Sequence, residues 1–221
     1  MPRLMFRAVP VILIALAAAL ACRSGYAAAV PAPAVDQPRA SASAKETAVV
    51  AGGCFWGIQA VFQHVKGVQS ATSGYSGGTF KNPDYETVSS GRTGHAETVK
   101  IVYDPSKVTY GELLRVFFSV ALDPTELNRQ GPDEGTQYRS VIFYTNDEQK
   151  RIAEAYIAQL DQAKVFRGPI VTQLVPLAAF YEAEAYHQNY ATLHPDNPYI
   201  VYNDAPKVAN LKKEFPELYK K

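Results

Sequence analysis

Cysteine is what this chain most lacks. Its 221 residues include two, Cys22 and Cys54, and the first lies in an N-terminal leader. The folded part therefore keeps a single thiol, and no internal disulfide can staple it. An excess of charge of one sign is missing too. The formal net charge is +1; once Arg3, Arg7 and Arg23 of the leader are set apart, the 22 basic residues fall to 19 against 21 acidic ones, a balance of −2 from residue 28 onward. Nothing in that balance suits a polyanion, and no nucleic-acid partner is expected. The Lys212-Lys213 and Lys220-Lys221 pairs are interleaved with Glu214 and Glu217 and read as a solvated end. The apolar block near the start, residues 11–21, is too short to span a bilayer as a stable helix. There is no internal repeat.

That block follows a basic head, Met1-Pro2-Arg3-Leu4-Met5-Phe6-Arg7. The two together predict an export signal over residues 1–27 and a periplasmic or cell-envelope location. Processing is expected after small residues near Ala27, or directly before Cys22. Ala19-Leu20-Ala21-Cys22 resembles the lipobox of bacterial lipoproteins, with Ala19 where leucine is usual. Lipidation of Cys22 would tether the protein to a membrane without inserting its fold, so any membrane contact would run through that anchor. Residues 28–45, rich in Ala, Pro and Ser, cannot build a core and read as a flexible linker. The remainder, 46–221, is long enough for one domain with a sizeable core, expected to act as a monomer.

The domain is organised around Val49-Val50-Ala51-Gly52-Gly53-Cys54-Phe55-Trp56-Gly57. A short β-type run ends in two glycines that permit a sharp turn, and the apolar residues after it fall at helical spacing. Cys54 thus sits where a helix begins. Unpaired backbone N–H groups and the positive end of the helix dipole are expected to favour its thiolate. Phe55 and Trp56, the sole tryptophan, add a hydrophobic wall. A lone cysteine is more often a small buried hydrophobe, so position alone does not make it a nucleophile.

Residues 65–75 alternate loosely as a strand and release into a long loop, residues 76–94, rich in turn formers. His95-Ala96-Glu97-Thr98-Val99-Lys100-Ile101-Val102-Tyr103 alternates as a half-buried strand, and its phase puts Glu97 on the apolar side with Val99, Ile101 and Tyr103. Thr109 caps a helix over 110–120, and Asp123-Pro124 breaks it. A second polar loop leads into a strand at 140–144, a helix starting at Asp147 and a strand at 170–175. The tail from Phe180 reads as aromatic, polar and irregular. Mixed hairpin and crossover links argue for an α+β sandwich, helices against a mixed sheet, over a doubly wound sheet.

Two chemistries compete for Cys54. His95 could serve as the base of a thiol hydrolase, although a histidine at a strand end is more often a capping or surface residue. Glu97 in an apolar setting would keep its proton and act as a hydrogen-bond donor or general acid toward an oxygen, although an edge carboxylate in water is the commoner case. Glu184-Ala185-Tyr186-His187 has the Glu-x-x-His spacing of di-iron bundles but lacks the second copy such a site requires. Gly52, Gly53 and Gly57 do not form a dinucleotide fingerprint. No cofactor and no metal are expected. Another Cys-dependent enzyme, such as a thiol peroxidase or acyl transferase, and a non-catalytic envelope binding protein stay open on these residues.

Four blocks in order carry a resemblance: Gly53-Cys54-Phe55-Trp56-Gly57; Gly74-Tyr75-Ser76-Gly77-Gly78 with Asn82-Pro83-Asp84-Tyr85; Gly94-His95-Ala96-Glu97; and Gly135-Thr136-Gln137-Tyr138-Arg139-Ser140. Together with Tyr186-His187-Gln188-Asn189-Tyr190 they are similar to the peptide-methionine sulfoxide reductase A family, over residues 48–202. The resemblance implies a two-layer α/β sandwich with a ferredoxin-like core, and reduction of the S epimer of methionine sulfoxide, free or in oxidised proteins. It implies Cys54 as the nucleophile that becomes a sulfenic acid and Glu97 as the acid serving the sulfoxide oxygen. Tyr85 and Tyr138 would be the hydroxyls that hold that oxygen, Phe55 and Trp56 the pocket for the S-methyl group, and Asp133 a polar residue of the same site. Many members carry resolving cysteines near the C-terminus, and residues 186–221 here have none. An external thiol, from a thioredoxin-like protein or a small molecule, is the expected reductant.

Overall fold

The computed structural model describes residues 29–221. The expected signal segment, 1–27, and Cys22 lie outside the described residues. Six strands form the main sheet: β1 (Glu46–Ala51), β2 (Val68–Ser76), β3 (Ala96–Tyr103), and, after a small ribbon of β4 (Arg129–Gln130) and β5 (Asp133–Glu134), β6 (Val141–Tyr144), β7 (Gln173–Pro176) and β8 (Phe180–Glu182). Their spatial order is β7-β6-β1-β3-β2-β8. The four central strands, β6-β1-β3-β2, are antiparallel throughout, whereas β7 joins β6 in parallel.

Helices α1 (Phe55–Gln63), α2 (Tyr85–Ser89), α3 (Tyr110–Val116), α4 (Asp147–Gln162), α5 (Tyr190–Leu193) and α6 (Ala205–Glu214) complete the fold. With α1 linking β1 to β2 and α3 on the path from β3 to β6, the centre is the ferredoxin-like arrangement inside a mixed sheet. Alternation along the strands divides the core. Ala48 and Val50 of β1 face the helices with Val99, Ile101, Phe62, Leu113 and Ile152. Val49 and Ala51 face the other way, with Val141, Phe143 and Phe180.

Local chemistry sets the element ends. Thr109 and Glu112 close a reciprocal capping box at the start of α3, and Asn146 caps α4. The helix expected over 110–120 finishes as a π-helical turn, Phe117–Ala121. The strand expected at 170–175 begins later, at Gln173.

Residues 76–94 are not all loop: Asp84 and Thr87 cap the short α2. The tail is not irregular either, since it adds β8, α5 and α6 to the body. Short helices of mixed polarity lack the run of apolar periodicity that makes longer ones legible. The lysines at the end are not all solvated, since Lys220 Nζ donates to the Val68 carbonyl at 2.6 Å.

The stretch expected to be a flexible linker is held along the body. Tyr156 donates to the Pro31 carbonyl at 2.7 Å, and Gln159 binds the backbone of Ala32 and Ala34. Asp36 accepts from Thr109 and from the Gly111 N–H, at the start of α3. Composition describes what a segment can bury by itself; these contacts use the segment's backbone carbonyls, one backbone N–H and one carboxylate, which composition does not reveal. Among the described residues no helix is long and apolar enough to cross a membrane.

Candidate active site

β1 ends at Ala51, and Gly53 turns the chain at a φ of +93° toward α1. A Cβ on Gly53 would come within 2.6 Å of Gln130 Cβ, so both the backbone and the neighbouring β4 demand glycine. Gly53→Ala is therefore expected to destabilise the protein by about 2 kcal/mol or more, read as a lower denaturant midpoint.

The turn delivers Cys54 to the N-cap position of α1, with its residue 8% exposed. Glu97, on β3, reaches the same helix end: its Oε2 accepts the Phe55 N–H at 3.0 Å, and the residue is 2% exposed. Val99, Ile101 and Tyr103 are buried along with it.

Burial decides the protonation of this centre. It pushes the Glu97 carboxyl from an ordinary 4.5 up to about 8; the Phe55 N–H opposes the rise, and Asp133 and Asp204 add to it. Burial likewise pushes the Cys54 thiol well above its usual range, with Glu97 and Asp204 acting in the same direction. The Trp56 backbone N–H and Lys207 pull the other way and do not prevail. The expected ease of forming a thiolate is thus corrected: the partial charge of a helix terminus is outweighed by removal of the sulfur from water. The resting centre is a protonated thiol beside a protonated acid.

The two tyrosines come from separate segments. α2 brings Tyr85, whose N–H donates to Glu184 Oε1 at 2.8 Å, while Glu184 Oε2 accepts the Tyr75 hydroxyl at 2.9 Å. A 3₁₀ turn, Thr136–Tyr138, carries Tyr138, and Arg139 ties that turn to the start of β3 by donating to the Thr136 and Gly94 carbonyls. Burial raises both phenols, and the charges of Glu97 and Cys54 act on each. Asp133 accepts the Tyr199 hydroxyl at 2.5 Å, and burial raises its carboxyl. Cys54, Glu97, Tyr85, Tyr138 and Asp133 are thus brought to one place.

Phe55 and Trp56 start an aromatic wall that continues into the tail. Trp56 stacks on Tyr190 with ring centres 3.7 Å apart and meets the edge of Tyr199 at 6.0 Å. Its Nε1–H donates to His187 Nδ1 at 3.1 Å. Around His187 stand Phe55 at 5.0 Å, Tyr85 at 4.4 Å and Tyr186 at 4.2 Å. Burial lowers the imidazole, which favours the neutral ring that this bond requires.

Sequence reasoning missed Tyr199, Asp204 and Lys207, included His187 and Tyr190 in the resemblance without giving them a role, and otherwise treated Glu184 and His187 as an incomplete di-iron motif. Beyond that block, their signal in the sequence was the density of aromatic residues after Phe180.

His95 does not stand as a base. Its Nδ1 accepts the Gly78 N–H at 3.1 Å and its Nε2 meets the Phe80 carbonyl at 2.7 Å, so both ring nitrogens are spent holding a loop.

A buried thiol against a proton-bearing acid, two phenols and an aromatic wall can accept onto its sulfur an oxygen from a bound donor that carries an apolar group. The model of the peptide methionine sulfoxide reductase family matches residues 46–219. The chain belongs to this family. It is 65% identical over 179 residues to a peptide methionine sulfoxide reductase MsrA 2 of Mesorhizobium japonicum, a match covering 81% of this chain and 92% of the relative. To an MsrA 2 of Synechocystis it is 47% identical over 199 residues, covering 89% and 93%.

Solved structures agree. The methionine sulfoxide reductase A of Corynebacterium diphtheriae superposes with a TM-score of 0.60 at 37% identity, covering 73% of this chain and 78% of that one. Reduced Mxr1 of Saccharomyces cerevisiae gives 0.62 at 31% identity, covering 72% and 91%. As a peptide methionine sulfoxide reductase the protein is an oxidoreductase that reduces methionine sulfoxide. Membership sets aside the peroxidase, acyl-transferase and binding-protein readings.

Proposed function

We propose that this reductase acts on the S epimer of methionine sulfoxide, free or in proteins, by direct attack of Cys54 on the sulfoxide sulfur. The observation that carries the reading is the convergence of Cys54 and a Glu97 carboxyl, protonated up to about pH 8, on the N-terminus of α1. The aromatic wall of Phe55 and Trp56 receives the S-methyl group and excludes water. Glu97, Tyr85 and Tyr138 donate hydrogen bonds to the sulfoxide oxygen as charge develops on it. Asp133 helps orient the substrate.

Cys54 sulfur loses two electrons and takes the oxygen as a sulfenic acid. The methionine sulfur gains those two electrons and leaves as the thioether. Cys54 is the one free cysteine among the described residues, which supports resolution by an outside thiol. That thiol, on a thioredoxin-like protein or a small molecule, forms a mixed disulfide with Cys54 and releases water; a second thiol then frees the enzyme.

The basic head and apolar block of the leader support an exported, envelope-located repair enzyme, lipid-anchored if Cys22 becomes the mature N-terminus. We place it there as a monomer. Mass spectrometry of the mature protein reads that terminus directly.

The chemistry is tested by mixing reduced protein with each epimer in the absence of reductant. One methionine per protein from the S epimer, with a dimedone adduct on Cys54, is expected. Reduction of the R epimer instead, or product formed without a Cys54 adduct, would overturn the reading.

A further inference from the structure

The C-terminal segment has no cysteine, yet it brings charge to the reacting thiol. A π-helical turn, Ile200–Asp204, runs directly into α6. At that junction Asp204 is fully buried, and Lys207, its side chain 19% exposed, places Nζ 3.3 Å from Asp204 Oδ1. Both groups press against Gly57. Any side chain there would overlap the Asp204 carboxylate and meet Lys207 Nζ at 2.9 Å. Gly57 lies three residues beyond Cys54, and positions three apart on a helix share a face. The pair therefore packs about one turn along α1 from the sulfur. Asp204 Oδ2, although buried, finds no hydrogen-bond partner among the described residues.

The titratable groups gathered around Cys54 are Glu97 from β3, Asp133 from β5, Tyr85 from α2, Tyr138 from the 3₁₀ turn, and Tyr199, Asp204 and Lys207 from the tail. His187 faces the same wall and is held neutral by burial. Lys207 is the cation of this group, and every other charge it can acquire is negative.

We propose that Lys207, anchored by Asp204 against Gly57, is a positioning residue that stabilises negative charge on the Cys54 sulfur as it attacks, offsetting part of the opposing charge of Asp204. A cation near a buried sulfur favours the anion, and a carboxylate beside it opposes this. Of the two, Asp204 acts on the thiol more strongly, so Lys207 offsets part of what Asp204 adds. The inference rests on Cys54 being the reacting group, but its test needs no turnover.

The test is the pH dependence of Cys54 alkylation by iodoacetamide in the full chain, followed by intact mass, for the parent and for Lys207→Met, Lys207→Arg and Asp204→Asn. Lys207→Met should shift the midpoint to higher pH and slow alkylation roughly tenfold below it. Lys207→Arg should restore the parent profile. Asp204→Asn should shift the midpoint to lower pH and speed alkylation.

A merely structural role would loosen the site in both the Lys207→Met and the Asp204→Asn proteins and expose the thiol, moving both the same way. That common direction, or an unmoved midpoint in Lys207→Met, overturns the proposal. If Asp204→Asn does not fold, the methionine and arginine variants decide it between them. Failure of the Cys54 reading itself would appear separately, as sulfoxide reduction that survives complete alkylation.

Discussion

A Cys54→Ser protein is expected to lose methionine sulfoxide reduction by on the order of 10⁴-fold or more, to background. Serine nearly reproduces the shape of cysteine, and at a position 8% exposed it leaves the aromatic wall and the carboxyl in place. What it removes is chemical: a hydroxyl oxygen cannot give up two electrons and take on the sulfoxide oxygen, as sulfur does. No second free cysteine lies among the described residues to take over the role. The measurement is methionine formed from the S epimer with dithiothreitol as reductant. Activity within a hundredth of the parent would sink the assignment of the nucleophile.

For Glu97→Gln the expected loss is roughly 10²-fold or more in the single-turnover rate, the range of general acid catalysis. Glutamine still offers an oxygen to the Phe55 N–H but cannot deliver a proton. The pH profile should change with it. Because burial raises the carboxyl to about 8, the parent rate should fall as pH rises through that value, and the variant should not show this limb.

Stability should move the other way. The folded chain holds a proton that the unfolded chain releases near the ordinary 4.5, so the stability associated with the neutral acid is complete below about 4.5 and is lost as pH rises through about 8. Glutamine is neutral throughout, and above pH 8 the variant should melt at a higher temperature than the parent. A protein that is slower yet more stable would identify Glu97 as a buried acid kept for chemistry. An unchanged rate would leave oxygen protonation to Tyr85 and Tyr138.

The central elements were legible because their signals are local. Alternation places Glu97 with Val99, Ile101 and Tyr103, Thr109 announces α3, and the paired glycines before Cys54 announce the strand-to-helix turn. The same locality explains the misses. α2 and α5 are five and four residues long, too short for a periodic pattern. Residues 29–45 were misjudged because their anchoring depends on partners such as Asp104, Thr109 and Tyr156, far along the chain. Glu184 and His187 suggested a metal motif by spacing. Folded, they serve Tyr75, Tyr85 and Trp56 instead.

By itself, the sequence determined that one thiol would stand at the head of a helix beside an aromatic pair, and that a carboxyl would lie on the apolar face of a neighbouring strand. Tertiary structure alone decided their protonation. Charge state depends on how much water the surrounding chain removes and on which charges it brings close, and here those come from β3, β5 and α6, segments remote in sequence from Cys54. A local motif can nominate an acid and a nucleophile. Only the assembled low-dielectric pocket raises both above their ordinary values.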